Sequence, residues 1–391
     1  MSWLALFKAE FKAILTNPAI VITVFGGIVF YSFLYPLPYS NQLPREQKIV
    51  VVNLDHSQLS RKIEFMVDAT PQVKIAGYAN SIAEAEQRIK EGEVSGFLQI
   101  PADFYRDLLQ GRSPTLSYGG DASYFLVYGT IAEGVATVSG TLGAEVKVSQ
   151  LLISGQALPL ASKQYNTVRL STQPVFNPTM GYINYVVPAV FVLILHQTLL
   201  IGAGILGATQ SERYVDDKKN GVQNQVHYWL TTSPLKLLTV RVITFSLLYV
   251  PLVMYYFGFS FNYYGISRLA SMTSLWALII PFLISVASLG VVIGQLVPRR
   301  ELATLVVLVA SLPLVFSAGF IWPTTAMPVW INWLAQWAPS TAGIQGFVQM
   351  NQMGASLYQV ADKWQQLWVL SLLYFILAWW LLIRRQQKVL A

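Results

Sequence analysis

Apolar residues along this chain gather into six long runs. They cover residues 19–37, 182–207, 237–257, 273–297, 302–321 and 367–383. An α-helix rises 1.5 Å per residue, so about 20 apolar residues are enough to cross the hydrocarbon layer of a bilayer. The pattern therefore predicts an α-helical polytopic membrane protein with six transmembrane helices.

The segment between the first two runs, residues 38–181, has the mixed composition of a soluble domain. Strand-like stretches at residues 48–53, 73–78, 94–100 and 115–118 alternate with helical spacing at 57–69, 81–92 and 102–109. A further, long helix is predicted over residues 122–154. Alternation of this kind is typical of α/β domains with a small parallel or mixed sheet. We expect an α/β domain inserted between the first and second membrane helices.

Two shorter regions also have apolar periodicity. In residues 1–18, Trp3, Phe7, Phe11 and Ile14 recur at three- and four-residue steps, which predicts an amphipathic helix in the membrane interface. A secretory signal peptide is the competing interpretation, but the apolar run that follows is long and has no small-residue cleavage site, so we expect an uncleaved anchor. Residues 322–366 contain Trp-rich stretches too short to span, which predicts short interfacial or re-entrant helices.

The distribution of charge predicts how the six runs are oriented across the membrane, because short cytoplasmic loops hold an excess of Lys and Arg. The formal net charge is +7. One side of the predicted topology holds twelve Lys and Arg against five acidic residues, whereas the other side is balanced. We therefore expect residues 208–236, the tail 384–391 and both termini to be cytoplasmic, and residues 38–181 to be extracytoplasmic. In a bacterium, this predicts the inner membrane.

The largest loop on the positive side, residues 208–236, carries the candidate docking residues. Its charged group is followed by a half-apolar run. Such a run predicts a short helix whose apolar side chains bind in a groove of a cytosolic partner. A solvated linker between two helices is the alternative. The predicted docking residues are Glu212, Arg213, Asp216, Asp217, Val222, Val226, Trp229 and Leu230.

The sequence contains few features that indicate catalysis or cofactor binding. The chain has no cysteine and no Gly-x-x-x-x-Gly-Lys-Ser/Thr loop for a nucleotide, so we expect no cofactor in this chain. It also lacks a basic patch with interleaved aromatic residues, which argues against a nucleic-acid partner. His196 and Gln197 lie inside the second run and predict either a polar pathway or, more simply, contacts with a neighbouring helix. Gly290 and Gly294 predict a close helix-packing face; we favour a contact within the chain, and a subunit interface is the alternative.

Several motifs, together with the order of the elements, resemble the ABC type-2 exporter permeases, particularly the drug-efflux branch with an enlarged external domain. Residues 50–57, Val-Val-Val-Asn-Leu-Asp-His-Ser, are similar to the first strand and turn of that domain. Residues 96–104, Gly-Phe-Leu-Gln-Ile-Pro-Ala-Asp-Phe, resemble its strand-to-helix segment. Residues 233–235, Ser-Pro-Leu, are similar to the end of the family's coupling segment.

This resemblance implies a permease that exports a lipophilic drug, lipid or similar substrate. ATP would be bound by separate cytosolic ABC ATPase subunits, and a second permease would complete a homodimer or heterodimer. A periplasmic membrane-fusion adaptor and membrane lipids are further expected partners. A non-transporting envelope scaffold, whose extracytoplasmic domain only binds proteins, is the alternative function. A membrane enzyme ranks third, because no acid–base or nucleophile constellation is evident.

Overall fold

The computed structural model describes residues 1–39, 43–164, 173–178, 180–220 and 227–390. Two compact units divide the chain: Leu43–Gln173 forms one, and Met1–Gln42 together with Pro174–Ala391 forms the other. The larger unit begins with three helices, α1 (Trp3–Leu15), α2 (Pro18–Val21) and α3 (Gly27–Leu34); a π-helical segment, Ile22–Gly26, joins the last two.

The smaller unit alternates strands and helices, as predicted. Its elements are β1 (Gln47–Asn53), α4 (Gln58–Asp68), β2 (Val73–Tyr78), α5 (Ile82–Lys90), β3 (Gly96–Ile100), α6 (Phe104–Leu109), β4 (Ser117–Gly120), α7 (Phe125–Ile153) and α8 (Leu158–Gln164). The strand order is β2-β1-β3-β4. β1 is parallel to both β2 and β3, whereas β4 is antiparallel to β3, so the sheet is mixed.

Both faces of this sheet are covered, because successive strand residues point to opposite sides. On one face Ile49, Val51 and Leu98 pack with α4 and α7. On the other, Val50 and Val52 pack with residues that include Ala85 of α5. The small unit therefore has its own core, which accounts for the apolar β-branched character of β1.

Seven helices among the described residues are long and apolar enough to cross a membrane, one more than the sequence predicted. The additional helix is α7, whose most apolar window has the lowest mean hydropathy of the seven. Its buried residues Ile131, Val135 and Leu142 belong to the same apolar core as the sheet. Length and composition alone do not distinguish such a helix from a membrane span.

The larger unit continues with long helices and short ones. They are α9 (Tyr182–Lys219), α10 (Tyr228–Thr231), α11 (Pro234–Met254), α12 (Phe261–Tyr263), α13 (Met272–Leu296), α14 (Arg300–Ser317), α15 (Val329–Ala335), α16 (Pro339–Met353) and α17 (Ala361–Leu390). Helix α9 packs against α13, α14 and α16. Most of its residues up to Ser211 are buried, as expected for a helix that is apolar all round.

Hydrogen bonds between apolar helices hold α11 to α9 and the segment after α11 to α3. Tyr249 of α11 donates its hydroxyl to Thr198 of α9, at 2.9 Å. Tyr256 lies in a π-helical segment, Tyr255–Ser260, that continues α11, and it donates to the carbonyl of Ile28, also at 2.9 Å. Each phenol thus has a polar partner in an otherwise apolar environment.

The short helices after α14 do not all lie on the surface. Helix α16 packs against α9 and α13, and a Cβ atom on Gly343 would lie 2.6 Å from the ring of Phe282. Helix α15, in contrast, exposes Trp330 and Trp333. Residues 322–366 thus contain short helices, and α16 is the one that packs among the long helices.

Candidate functional site

Helix α9 extends well beyond the predicted span. The sequence predicted that the second membrane helix ends at Gly207 and that a loop follows, but α9 continues to Lys219. Its 38 residues give a length of about 57 Å, roughly twice the hydrocarbon thickness. Residues 208–219 contain no glycine or proline that would end a helix. The charged part of the predicted loop is therefore the last three turns of a rigid helix.

Two of the four charged docking residues already have partners within the chain. Glu212 accepts the backbone N–H of Arg300 at 2.7 Å and thereby caps the start of α14. Asp217 lies 3.1 Å from Nε2 of His227. Arg213 and Asp216 have exposed side chains. The structure therefore divides the predicted charged group into two residues that brace the helix end and two that face outwards.

The predicted apolar anchors that the structure describes are buried or half-buried within the chain. Trp229 is only 5% exposed, and its ring contacts the rings of Tyr214 and His227, at centroid distances of 6.3 and 5.7 Å. The prediction that Trp229 is an exposed anchor is wrong, because this indole completes the packing beneath the loop. Leu230 is half-buried against the same core. Val222 and Val226 lie outside the described residues.

A buried ion pair that the sequence analysis did not single out lies beside this loop. Glu10 of α1 accepts two hydrogen bonds from Arg241 of α11, from Nε and Nη2, each at 2.8 Å. Nη2 of Arg241 also donates to Gln210 of α9 at 2.7 Å, and Tyr228 of α10 donates to Glu10 at 2.9 Å. We call these four residues the Glu10–Arg241 cluster.

Because the ion pair of this cluster is buried, its stability depends on the geometry of its hydrogen bonds. The side chains of Arg241 and Glu10 are 1% and 0% exposed. Removing both charges from water is costly, and a bidentate geometry with further hydrogen bonds is what offsets that cost. Burial and the neighbouring Glu10 raise the pKa of Tyr228, so its phenol stays protonated and donates to the carboxylate.

The pattern of α1 held a signal for this pair. Leu6, Glu10 and Ile14 are the buried residues of that helix and follow one another at four-residue steps, so Glu10 falls on the apolar stripe. Arg241 likewise interrupts an apolar run. A charge on the buried face of a helix predicts a buried partner, although the sequence does not say which residue it is.

Helix α17 also holds the loop. Gln386 donates to the carbonyls of Trp229 and Thr232, at 2.8 and 3.0 Å, and Arg385 donates to Gln295 of α13 at 2.7 Å. The segment around α10 is therefore connected to α1, α9, α11 and α17 at one end of the helices.

A family comparison decides which class of protein has this arrangement. The family model described as ABC-2 family transporter protein matches residues 18–380. The chain belongs to the ABC-2 transporter family. A search of curated proteins found no match. The chain is thus a multi-pass membrane permease of an ABC transporter, and the family implies a partner ATPase subunit.

Two polar residues lie within the apolar part of α9 of the permease. Gln197 donates to Ser311 of α14 at 2.6 Å, which fits the predicted contact with a neighbouring helix. His196 is 1% exposed, and neither ring nitrogen has a hydrogen-bond partner among the described residues. The expectation that a neighbouring helix satisfies His196 is therefore not met there; the nearest ring is that of Phe282, with centroids 6.4 Å apart.

Gly290 and Gly294 of the permease form a close contact within the chain, as the favoured interpretation predicted. A Cβ atom on Gly290 would lie 2.6 Å from Cβ of Ala203. One on Gly294 would lie 2.7 Å from the carbonyl oxygen of Gly204. Real Cβ atoms do not approach other atoms so closely, so glycine at these positions allows α13 to pack against the backbone of α9.

We expect Gly294→Ala to destabilise the permease by about 1 to 3 kcal/mol, because the added methyl group must separate two packed backbones. Gly258→Ala is the matched control, since a Cβ atom there meets no atom within 4 Å. Thermal denaturation in detergent measures both variants. An unchanged melting temperature for Gly294→Ala would show that the contact between α9 and α13 can relax freely.

Proposed function

We propose that this permease is the membrane subunit of an ATP-driven exporter that moves a lipophilic drug, lipid or similar molecule out of the cytoplasm or inner membrane. It works with cytosolic ABC ATPase subunits and with a second permease, identical or similar, since six membrane helices seldom enclose a translocation path. The drug-efflux branch is favoured by the likeness of residues 50–57 and 96–104 to its external domain. A periplasmic adaptor is a further proposed partner.

The observation that carries this proposal is the arrangement around the end of α9. Arg213, Val215 and Asp216 are exposed there, on a helix whose preceding turn contributes Gln210 to the Glu10–Arg241 cluster. An ATPase that docks on the exposed residues would push on a helix end that is braced by Glu212 and by α10. Packed helices shift between discrete arrangements, so such a push can be converted into movement of the spans.

The proposed topology has six spans with both termini in the cytoplasm of a bacterial cell. Helix α7 is then part of the extracytoplasmic α/β unit, and its packing on the sheet supports this assignment. Lys62 of α4 and Glu145 of α7 also form an exposed ion pair, which suits water better than lipid. The excess of Lys and Arg on the opposite side supports the orientation.

A scaffold that binds envelope proteins through the small unit is the alternative function, and dependence on the ATPase distinguishes the two. In inverted membrane vesicles containing the permease and its cognate ATPase, we expect ATP-dependent accumulation of a lipophilic dye. Omitting the ATPase, or disabling its catalytic glutamate, should abolish accumulation. Accumulation that persists without a working ATPase would contradict an ATP-driven exporter, and a scaffold would show none in any sample.

A further inference from the structure

An apolar groove runs along three long helices. Its volume is about 530 Å³, and its walls come from α11, α13 and α17. Thr239, Ile243, Ser246 and Leu247 form the wall on α11, Ile280 belongs to α13 and Phe375 to α17. Ile243, Leu247 and Ile280 are each about half exposed, so this face has no cover within the described chain.

The dimensions of the groove suit a single hydrocarbon chain. Along α11 it extends from Thr239 to Val250, which is about 16.5 Å at the helical rise per residue. That length is roughly half the 30 Å hydrocarbon layer, the depth that one leaflet provides. The walls consist mainly of large aliphatic and aromatic side chains, whereas packed membrane helices meet through small residues. A second helix is therefore a poorer occupant than an acyl chain.

A lysine lies one helical turn before Thr239, the first groove residue on α11. Lys236 precedes Thr239 by three residues, Ile243 by seven and Ser246 by ten, so all four lie on one face of the α11 helix. Nζ of Lys236 donates to the carbonyl of Met1 at 2.6 Å and lies 5.1 Å from the ring centroid of Trp3. An ammonium group has three N–H donors, so this contact leaves donors for another oxygen ligand.

The charge around Lys236 is positive. Helix α1, which packs against α11, exposes Lys8 and Lys12, while its one acidic residue, Glu10, is buried with Arg241. Helix α11 contains no Asp or Glu. No exposed carboxylate on these two helices offsets the charge of Lys236, which therefore complements an anionic headgroup.

We propose that this groove binds an acyl chain of an anionic phospholipid whose phosphate is held at Lys236. The site is distinct from the proposed ATPase-docking face and does not depend on the direction of transport. A lipid held here would contact α11, α13 and α17 along the open side of the groove, where Ile243, Leu247 and Ile280 are about half exposed.

Photoactivatable lipids test the proposal with the full-length permease in nanodiscs of phosphatidylcholine. A trace of phosphatidylglycerol or phosphatidylcholine, each with a diazirine on one acyl chain, is activated by light, and the modified peptides are mapped by mass spectrometry. We expect phosphatidylglycerol to label Ile243, Leu247 and Ile280 about fivefold more than phosphatidylcholine does, the ratio expected for one lysine near anionic lipid. The exposed face of α14, around Leu308 and Leu312, should show no such preference.

Three variants sharpen this test. Lys236→Gln should remove the preference for phosphatidylglycerol, and Lys236→Arg should keep it. Leu247→Trp should fill the groove and reduce labelling by phosphatidylglycerol, whereas Leu308→Trp on α14 should leave groove labelling unchanged. Size-exclusion profiles confirm that each variant is folded.

Three results would overturn the proposal. Equal labelling of the groove and the α14 face would mean that only ordinary surrounding lipid is present. Labelling that is equal for the two headgroups, or that is unchanged by Lys236→Gln, would show that the groove does not select an anionic lipid. Absence of lipid adducts in the groove, with cross-links between two copies of the chain there, would make the groove a subunit interface.

Discussion

Replacing Glu10 with leucine is expected to destabilise the permease by about 3 to 5 kcal/mol, because Arg241 would remain buried without its carboxylate partner. Arg241 already has one unpaired nitrogen, Nη1, among the described residues, so the guanidinium has no spare contact to replace the two that it loses. Tyr228 would lose its acceptor as well. Thermal denaturation in detergent is the measurement, together with the yield of monodisperse protein.

A compensating double variant tests whether the unpaired charge, and not a change in packing, causes the loss of stability. Glu10→Leu combined with Arg241→Met removes both charges, and we expect it to recover most of the lost stability. If the double variant is as unstable as Glu10→Leu alone, an unpaired buried charge is not the cause. Glu145→Ala provides the control for an ordinary ion pair: its partner is Lys62, both side chains are 48% exposed, and the expected cost is below about 1 kcal/mol.

The general architecture was accessible from the sequence because it depends on local patterns. Spans are recognisable from apolar length, and β1 and β2 from β-branched runs bounded by turns. Strand β4 was placed two residues too early, since its Ser-Tyr-Gly-Gly sequence has low strand propensity. Pairing with β3 determines it instead: Gly119 pairs with Phe97, and a Cβ atom on Gly119 would lie 2.5 Å from the ring of Phe97, so a larger residue there would require that ring to move.

The site was only partly accessible, because its contacts join residues far apart in the chain. Glu10 and Arg241 are separated by 231 residues, and no periodicity specifies that pairing. Trp229 was expected to be exposed because a half-apolar segment does not reveal which side faces the protein. The charged end of α9 was interpreted as a loop because its residues are polar, yet polar residues continue a helix readily when glycine and proline are absent. The polar composition of that segment correctly predicted that it is exposed to solvent, but it predicted a loop where the structure has a helix.

Placing a carboxylate on the exposed face of α9 is expected to uncouple the permease from its ATPase. Val215 is 47% exposed, and Arg213 and Asp216 in the same last turns of α9 are exposed as well. Exposed charge pairs contribute little to affinity, so an exposed apolar residue at this end of the helix should contribute more. We expect Val215→Asp to weaken association at least about tenfold and to abolish ATP-dependent transport, since an unpaired charge would be buried at the interface.

A matched variant controls for the added charge. Leu109→Asp introduces the same side chain at an exposed apolar residue of the small unit, which is 70% exposed, and should leave association with the ATPase unchanged. Co-purification from detergent-solubilised membranes measures both variants. Because Val215 faces outwards, Val215→Asp should also keep the melting temperature of the unmodified permease. Full association of Val215→Asp would exclude this face as the docking surface.

Site-directed cross-linking tests the central claim, that the end of α9 receives the ATPase, most directly. The chain contains no cysteine, so Asp216→Cys and Gln110→Cys each introduce a single thiol, one at the end of α9 and one in the small unit. A short thiol-to-amine cross-linker is applied to membranes that contain the permease and its ATPase. The account predicts a permease–ATPase product from Asp216→Cys and none from Gln110→Cys. A product from Gln110→Cys with none from Asp216→Cys would contradict both the docking surface and the proposed topology.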